Sequence, residues 1–143
     1  MNSKAPVLIK GNKYIDQRGI LIYNNDFDLT EVKRYFTIEP STLRAWHGHK
    51  KEQNWVSIVR GAAKVLLVKP DNWENPSQNL TVSEYILKEE DGDVLYIPGG
   101  YVSGIKSIAP DSKLGVFSDF TLEESMKDDF RYEKDRWYFE SFM

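Results

Sequence analysis

The chain has 143 residues, of which 41% are hydrophobic, 13% aromatic and 29% charged, a composition typical of one globular domain with a core of its own. Its net charge of −3, with no basic cluster beyond Lys50-Lys51, argues against a general nucleic-acid-binding protein. The absence of cysteine excludes disulfides, zinc–thiolate sites and a thiol nucleophile, and no apolar run approaches the roughly 20 residues of a membrane span, so the sequence predicts a cytoplasmic protein.

Short blocks of β-branched and aromatic residues, separated by turn residues, predict an all-β sandwich or barrel. The predicted strands are 19–23, 32–38, 43–49, 55–59, 62–68, 81–87, 93–97 and 114–120. Arg60-Gly61 predicts a tight hairpin turn, and the stretch 69–79, rich in Asn and Pro, predicts a long loop. A short helix is predicted over 122–129, because Thr121 and Glu124 have the spacing of a capping box.

The two histidines of the chain, His47 and His49, lie one residue apart in the predicted strand 43–49. Alternation along a strand places them on the same face of the sheet. Histidine is the side chain whose ordinary pKa is closest to neutral, so the pair predicts either a proton-transfer site or two metal ligands. The same alternation places Trp46 on the opposite face, where we expect it to pack against the sheet.

The residues that follow the histidines resemble the first cupin motif, in which an H-x-H pair and an acid precede a glycine turn. The corresponding residues are His47, His49, Glu52 and Gly61. Two imidazoles and a carboxylate could hold a transition metal. The motif therefore leaves a metal-dependent cupin enzyme as one alternative.

A second stretch resembles the second cupin motif, with Gly92, Pro98 and Gly100 at the matching spacing. In metal-binding cupins this motif ends on a histidine, and Ser103 stands at that position here. A third nitrogen ligand is therefore missing, and the resemblance favours a site without metal.

A narrower resemblance is to metal-free cupins, the dTDP-4-dehydrorhamnose 3,5-epimerases and the dTDP-sugar 3,4-ketoisomerases. Residues 44–50 read R-A-W-H-G-H-K and resemble the R-G-x-H-A-H-K segment of the ketoisomerases. Residues 16–19, 95–101 and 129–137 resemble further epimerase segments in the same order. The resemblance implies a cupin (RmlC-like) jelly-roll β-barrel with a short C-terminal helix, one domain over residues 1–143, and a homodimer.

The resemblance also implies a reaction: isomerisation or epimerisation of a dTDP-4-keto-6-deoxyhexose, without cofactor, in deoxysugar and polysaccharide biosynthesis. Such a reaction removes a hydrogen from a carbon next to a ketone, which requires a positioned base and a stabilised enolate oxygen. The resemblance assigns the base to His47. A carboxylate should hold the other ring nitrogen, and Asp135 is the expected partner, with Asp119 as second choice.

Six further residues are expected to contact the substrate: Arg44, His49, Arg18, Tyr101, Asn54 and Ser103. Arginine suits a diphosphate or an enolate oxygen, and the epimerase counterpart of Arg18 reaches the nucleotide across a dimer interface. In the late strand Gly115 stands where the epimerases have a proton-donating tyrosine. The missing tyrosine and the second histidine favour 3,4-ketoisomerisation, while epimerisation and a non-catalytic sugar-binding or regulatory cupin stay open.

Overall fold

Two five-stranded antiparallel sheets enclose the core of this computed structural model, which describes residues 4–137. The strands are β1 (Val7–Ile9), β2 (Asn12–Asp16), β3 (Gly19–Tyr23), β4 (Arg34–Ile38), β5 (Leu43–His49), β6 (Asn54–Arg60), β7 (Ala62–Val68), β8 (Ser83–Lys88), β9 (Val94–Ile97), β10 (Tyr101–Ser107), β11 (Lys113–Ser118) and β12 (Phe130–Arg131), and the helix is α1 (Leu122–Met126). One sheet has the order β1-β9-β6-β11-β4 and the other β12-β5-β10-β7-β8, while β2 and β3 pair as a separate hairpin. The prediction of an all-β barrel is confirmed.

All the predicted strands are present, and β3, β5 and β7 have the predicted bounds. The hairpin prediction at Arg60-Gly61 is wrong, because β6 and β7 belong to different sheets. Gly61 does adopt a positive φ of 84°, but it turns the chain at a corner between the sheets. A Cβ atom at Gly61 would lie 2.5 Å from the hydroxyl oxygen of Ser112, so the close approach of that residue also requires glycine.

Strand β10 was not predicted, although it lies in the middle of its sheet between β5 and β7. Its sequence Y-V-S-G-I-K-S contains a glycine and two serines, which weaken the β pattern. The structure shows why Gly104 is there. A Cβ atom at Gly104 would lie 3.0 Å from the Cβ of Ala45 and 3.2 Å from the ring of Trp46, so a larger residue would displace the buried indole.

Trp46 packs on the outer face of its sheet, as predicted. It is buried with Leu66, Val68 and Val102, and its ring meets that of Trp137 edge-on with centroids 5.2 Å apart. The indole N–H donates to the carbonyl of Lys134 over 3.1 Å. This second core fixes the chain after β12 against the back of the histidine strand.

A bulge in β5 decides which side chains of that strand face the barrel interior. The register with β10 shifts so that Ser103 pairs with His47 and Gly104 pairs with Ala45, which leaves Trp46 as the extra residue. Strict alternation would place Arg44 opposite to His47. Because of the bulge, Arg44, His47 and His49 all line the same cavity.

Helix α1 begins as predicted and ends early. Thr121 caps it, with both hydrogen bonds of the capping box to Glu124. The prediction of a helix to residue 129 is wrong, since α1 ends at Met126 and the chain then turns towards the histidines. No helix within residues 4–137 has the length and apolarity needed to cross a membrane.

Candidate active site

A cavity of about 690 Å³ opens between the two sheets, within the size range of small-molecule sites. Its deep part is apolar, with side chains from both sheets: Phe36, Ile38, Val56, Ile97, Ile105 and Val116. Its polar groups are concentrated on the histidine strand, on β4 and on the segment after α1. Apolar walls lower the local dielectric, so the polar groups act more strongly there than in water.

The imidazole rings of His47 and His49 stand side by side on the cavity wall, with centroids 4.6 Å apart and planes inclined by 57°. The side chain of His47 is 38% exposed and that of His49 only 14%. The predicted common face of the two histidines is therefore confirmed, but the surroundings of the rings differ.

His47 lies against Asp129. The distance between its Nε2 and the Oδ1 of Asp129 is 2.6 Å, although the oxygen lies outside the direction of a ring N–H. Burial of the ring and the charge of His49 lower the pKa of His47 below its ordinary value, and Asp129 only partly opposes them. The imidazole of His47 is thus neutral at pH 7.

Asp129 also accepts a hydrogen bond from Nε of Arg131, over 3.1 Å to the same Oδ1. Burial opposes its ionisation, but the hydrogen bond from Arg131 and the proximity of His47 hold the pKa of Asp129 below its ordinary value. The carboxylate beside the imidazole is therefore charged, as a histidine–aspartate pair requires.

The sequence assigned this carboxylate position to Asp135, with Asp119 as second choice, and the structure places Asp129 there instead. Asp135 is exposed in a turn beyond β12 and does not line the cavity. Asp119 binds the backbone N–H and the side-chain amide of Gln53, over 2.8 and 2.9 Å. Asp129 takes this position because α1 ends early. The chain after the helix pairs with β5, which places residue 129 at the histidine strand.

His49 is held by the residue next to Asp129. Its Nδ1 lies 2.6 Å from the backbone carbonyl oxygen of Asp128, and 3.5 Å from Oε1 of Glu52. Both neighbours are acceptors, so Nδ1 carries the hydrogen and Nε2 is left for the cavity.

Glu52 is a buried carboxylate that joins four elements near the cavity. Its Oε2 accepts hydrogen bonds from Arg34 over 3.1 Å, from Asn54 over 3.0 Å and from Ser118 over 2.6 Å. Its Oε1 accepts one from Ser125 of α1 over 2.5 Å. In the sequence Glu52 is predicted only as a metal ligand, because three of its four partners, Arg34, Ser118 and Ser125, come from other parts of the chain.

The metal triad of His47, His49 and Glu52 that the sequence left open is not assembled. Oxygen atoms of Glu52 are taken by the donors just described, and Nδ1 of His49 faces a carbonyl. Across residues 4–137, no group of three His, Cys, Asp or Glu side chains is arranged to hold a metal ion. The donor set thus does not fit a metal.

Within residues 4–137, three arginines line the cavity. Arg44 was expected there, whereas Arg34 and Arg131 were not singled out in the sequence. Arg34 is the most buried, with a side chain 19% exposed, and is tied to Glu52. The Arg131 side chain is 71% exposed, and its Nε is paired with Asp129 over 3.1 Å.

Of the other expected contact residues, Asn54 and Ser103 line the cavity. Tyr101 instead packs against the barrel core. Arg18 lies at the tip of the hairpin of β2 and β3, paired with Asp16, and does not line the cavity of its own chain.

Gly115 does not occupy a place where a tyrosine could reach the cavity. It lies between Leu114 and Val116, both in the barrel core, so it faces outward, and a Cβ atom there would lie 2.8 Å from the hydroxyl of the exposed Tyr35. Among the described residues, Tyr132 is the tyrosine that lines the cavity. Its hydroxyl donates a hydrogen bond to the backbone carbonyl of Trp73.

Several solved structures with the same fold are sugar-nucleotide enzymes. A variant of the 3,4-ketoisomerase QdtA from Thermoanaerobacterium thermosaccharolyticum, in complex with TDP-4-keto-6-deoxyglucose, is 20% identical, with a TM-score of 0.67 over 92% of this chain and 90% of that chain. The TDP-quinovose 3,4-ketoisomerase WlaRB from Campylobacter jejuni is 20% identical, with a TM-score of 0.66 over 94% and 98% of the two chains. NovW, a 4-keto-6-deoxy sugar epimerase from Streptomyces spheroides, is 13% identical, with a TM-score of 0.73 over 94% of this chain and 72% of that chain.

No protein-family model and no curated protein matches the sequence. The structural likeness therefore establishes the fold: the chain is a cupin jelly-roll barrel of the RmlC type. Solved structures that share this fold include the 3,4-ketoisomerases and the 4-keto-6-deoxy sugar epimerase just described.

Proposed function

We propose that this protein is a nucleotide-sugar isomerase that acts on a dTDP-4-keto-6-deoxyhexose by histidine-mediated enolisation. The observation that carries the proposal is the neutral imidazole of His47, paired with the charged Asp129 in a cavity of about 690 Å³. A base with a pKa near or below neutral can remove the weakly acidic hydrogen next to a ketone. The pathway would be deoxysugar and polysaccharide biosynthesis.

In the proposed reaction, His47 takes the proton from C3 of the sugar, and the electron pair of that bond forms a C3–C4 enolate with its negative charge on the former 4-keto oxygen. That oxygen then receives the proton of the C3 hydroxyl, which moves the enolate charge to the C3 oxygen. His47, whose side chain is 38% exposed and exchanges its proton with solvent, delivers a proton to C4 as the C3 oxygen becomes the ketone. The sum is an isomerisation with no change of oxidation state. Nε2 of His49 is available to move the proton between the two oxygens, because Nδ1 faces the Asp128 carbonyl.

Arginines at the cavity mouth support a nucleotide diphosphate as the remote part of the substrate. Arg44 and Arg131 line the cavity and are exposed, and guanidinium groups bind phosphate oxygens bidentately. Ser103 and Asn54 offer further polar contacts on the wall. Remote binding of this kind positions the sugar against the base.

The geometry supports 3,4-ketoisomerisation over epimerisation. Inverting a stereocentre needs an acid and a base on opposite faces of the sugar, whereas moving a ketone can use one face. The two histidines lie on one strand, and the hydroxyl of Tyr132 is engaged with Trp73. Apolar side chains such as Phe36 and Val116 line the other sheet.

Deuterium incorporation tests the proposal directly. The protein is incubated in D₂O with a dTDP-4-keto-6-deoxyhexose, and the sugar is examined by mass spectrometry and NMR. We expect deuterium at C4 of a 3-keto product. Deuterium at C5 would indicate epimerase chemistry instead. The absence of both a 3-keto product and incorporation at C3, C4 or C5 across several such sugars would contradict the proposal and indicate a binding protein.

The pH dependence should follow the lowered pKa of His47. Only the neutral ring accepts a proton, so kcat/KM falls as the pH drops through the pKa of His47. Because that pKa lies below its ordinary value of 6.5, we expect the acid limb below pH 6.5. Asp129 raises the pKa, so Asp129→Asn should move the limb to still lower pH. A limb at or above pH 6.5 in the wild type would contradict the assignment of His47.

We also propose that the protein is a homodimer whose interface includes the hairpin of β2 and β3. Ile15 and Ile20 are paired across it and are 63% and 66% exposed, while Tyr14 and Leu21 on its other face are 56% and 59% exposed. A two-stranded hairpin is marginal in water by itself, and apolar side chains on both faces favour burial against a partner. A dimer would also bring the expected nucleotide contact Arg18 towards a neighbouring cavity.

Ile20→Lys is expected to shift the protein from dimer to monomer in sedimentation velocity. The matched control is Ile86→Lys, because Ile86 is 46% exposed on the edge strand β8, away from the hairpin. A monomeric wild type, or equal dissociation in both variants, would refute this interface. A cytoplasmic location belongs to the same proposal, since a nucleotide-linked substrate is made and used there.

A further inference from the structure

Asp128 has a densely hydrogen-bonded carboxylate near the cavity that the proposed reaction does not use. It lies in the turn between α1 and β12 and is 7% exposed. Its carboxylate accepts three successive backbone N–H groups, from Lys50 over 2.7 Å, Lys51 over 2.8 Å and Glu52 over 2.9 Å. These three amides directly follow His49 in the chain.

The backbone of Asp128 acts on the histidine itself. Its carbonyl oxygen lies 2.6 Å from Nδ1 of His49, so that one residue holds both the ring and the main chain that follows it. The next residue, Asp129, contacts His47, and two residues further on Arg131 pairs with His47 in the strand ladder. The position of both imidazoles therefore depends on where residue 128 is anchored.

We propose that Asp128 is a positioning residue, whose carboxylate clamps residues 50–52 so that its carbonyl holds His49 as the Nδ1–H tautomer with Nε2 towards the cavity. The reach of Asp129 to His47 depends on the same clamp. The tautomer of His49 is inferred from the two acceptors near its Nδ1 and does not depend on the function of the protein. The expected effect on turnover rests on the proposed isomerase function.

The test compares Asp128→Asn with Asp119→Asn. Asp119 is a matched control because its carboxylate accepts the next backbone N–H of the same loop, that of Gln53, over 2.8 Å without contact to a histidine. Asparagine at 128 retains one acceptor oxygen and presents an NH₂ group to the remaining amide, so it loosens the clamp and preserves the side-chain volume.

The first readout needs no substrate. Long-range ¹H–¹⁵N spectra of the wild type should show neutral His49 as the Nδ1–H tautomer, and Asp128→Asn should show a mixture of tautomers, while Asp119→Asn matches the wild type. A wild type with His49 as Nε2–H would overturn the proposal, even if the Asp128 variant fails to fold. An unchanged tautomer in a folded Asp128→Asn would also overturn it.

The second readout is kinetic. Loss of hydrogen bonds worth about 1.4 to 2.8 kcal/mol in the transition state should lower kcat by about 10- to 100-fold in Asp128→Asn. KM should stay within about twofold, because the arginines are not displaced. Equal losses of kcat in both aspartate variants would make the effect merely structural and contradict the proposal. If the wild type shows the expected tautomer but catalyses no exchange, the proposed function fails and the positioning of His49 stands.

Discussion

Replacement of His47 by alanine is expected to lower the rate of deuterium incorporation by about 10²- to 10⁴-fold, the usual contribution of a positioned general base. His47 is the imidazole that is kept neutral by burial and paired with a carboxylate in the cavity. Because the His47 side chain is 38% exposed at the cavity wall, we expect the alanine variant to fold. The rate is measured by mass spectrometry at fixed pD.

Two aspartate variants separate the structural assignment from the sequence-based one. Asp129→Asn should slow incorporation by one to two orders of magnitude, since the charge 2.6 Å from Nε2 of His47 stabilises the imidazolium that forms. Asp135→Asn should match the wild type, because Asp135 is exposed and away from the cavity. Circular dichroism and the melting temperature serve as controls for folding. Wild-type exchange in His47→Ala, or a larger loss in Asp135→Asn than in Asp129→Asn, would refute this assignment.

Replacement of Glu52 by alanine is expected to cost about 3 to 5 kcal/mol of unfolding free energy, the usual loss when one partner of a buried ion pair is removed. The guanidinium of Arg34 would lose its carboxylate partner, and donors on Asn54, Ser118 and Ser125 would lose their common acceptor. Unsatisfied buried donors add their own desolvation penalty. Urea unfolding measures the loss as a lower midpoint with a similar slope.

Glu39→Ala is the matched control for this prediction. Glu39 is 61% exposed and lies 3.7 Å from Arg60 and 3.9 Å from Lys113, so its ion pairs are surface pairs. Such pairs contribute about 0 to 1 kcal/mol. If Glu52→Ala destabilises the protein no more than Glu39→Ala, the buried network does not support the fold in the way proposed here.

Local sequence patterns predicted most of the barrel. The blocks of β-branched and aromatic residues determine β3, β5 and β7 to the residue, because strand formation there depends on side chains that repeat along the strand itself. The cap of α1 was equally local, since Thr121 and Glu124 are three residues apart. Strand β10 was missed because Gly104 and its serines weaken the pattern, and its glycine is explained only by Trp46 on the neighbouring strand.

Part of the candidate site could also be predicted from a local sequence pattern. Two histidines at alternate positions of one strand must share a face, so His47 and His49 could be placed from the sequence alone. The carboxylate beside His47 could not, because Asp129 is 82 residues away in the chain and reaches it only through the pairing of β12 with β5. The same holds for Glu52, which is bound by Arg34, Ser118 and Ser125 from β4, β11 and α1.

The sequence by itself thus determined the fold class, most strands and the pair of histidines, because these depend on how side-chain types alternate over a few residues. The tertiary structure decided the charge partner of His47, the tautomer of His49 and the shared cavity of Arg44 with both, through a strand bulge and contacts between distant segments. Such contacts depend on the register of strand pairing and on the residues at which helices and strands end. The local sequence pattern determines neither of these.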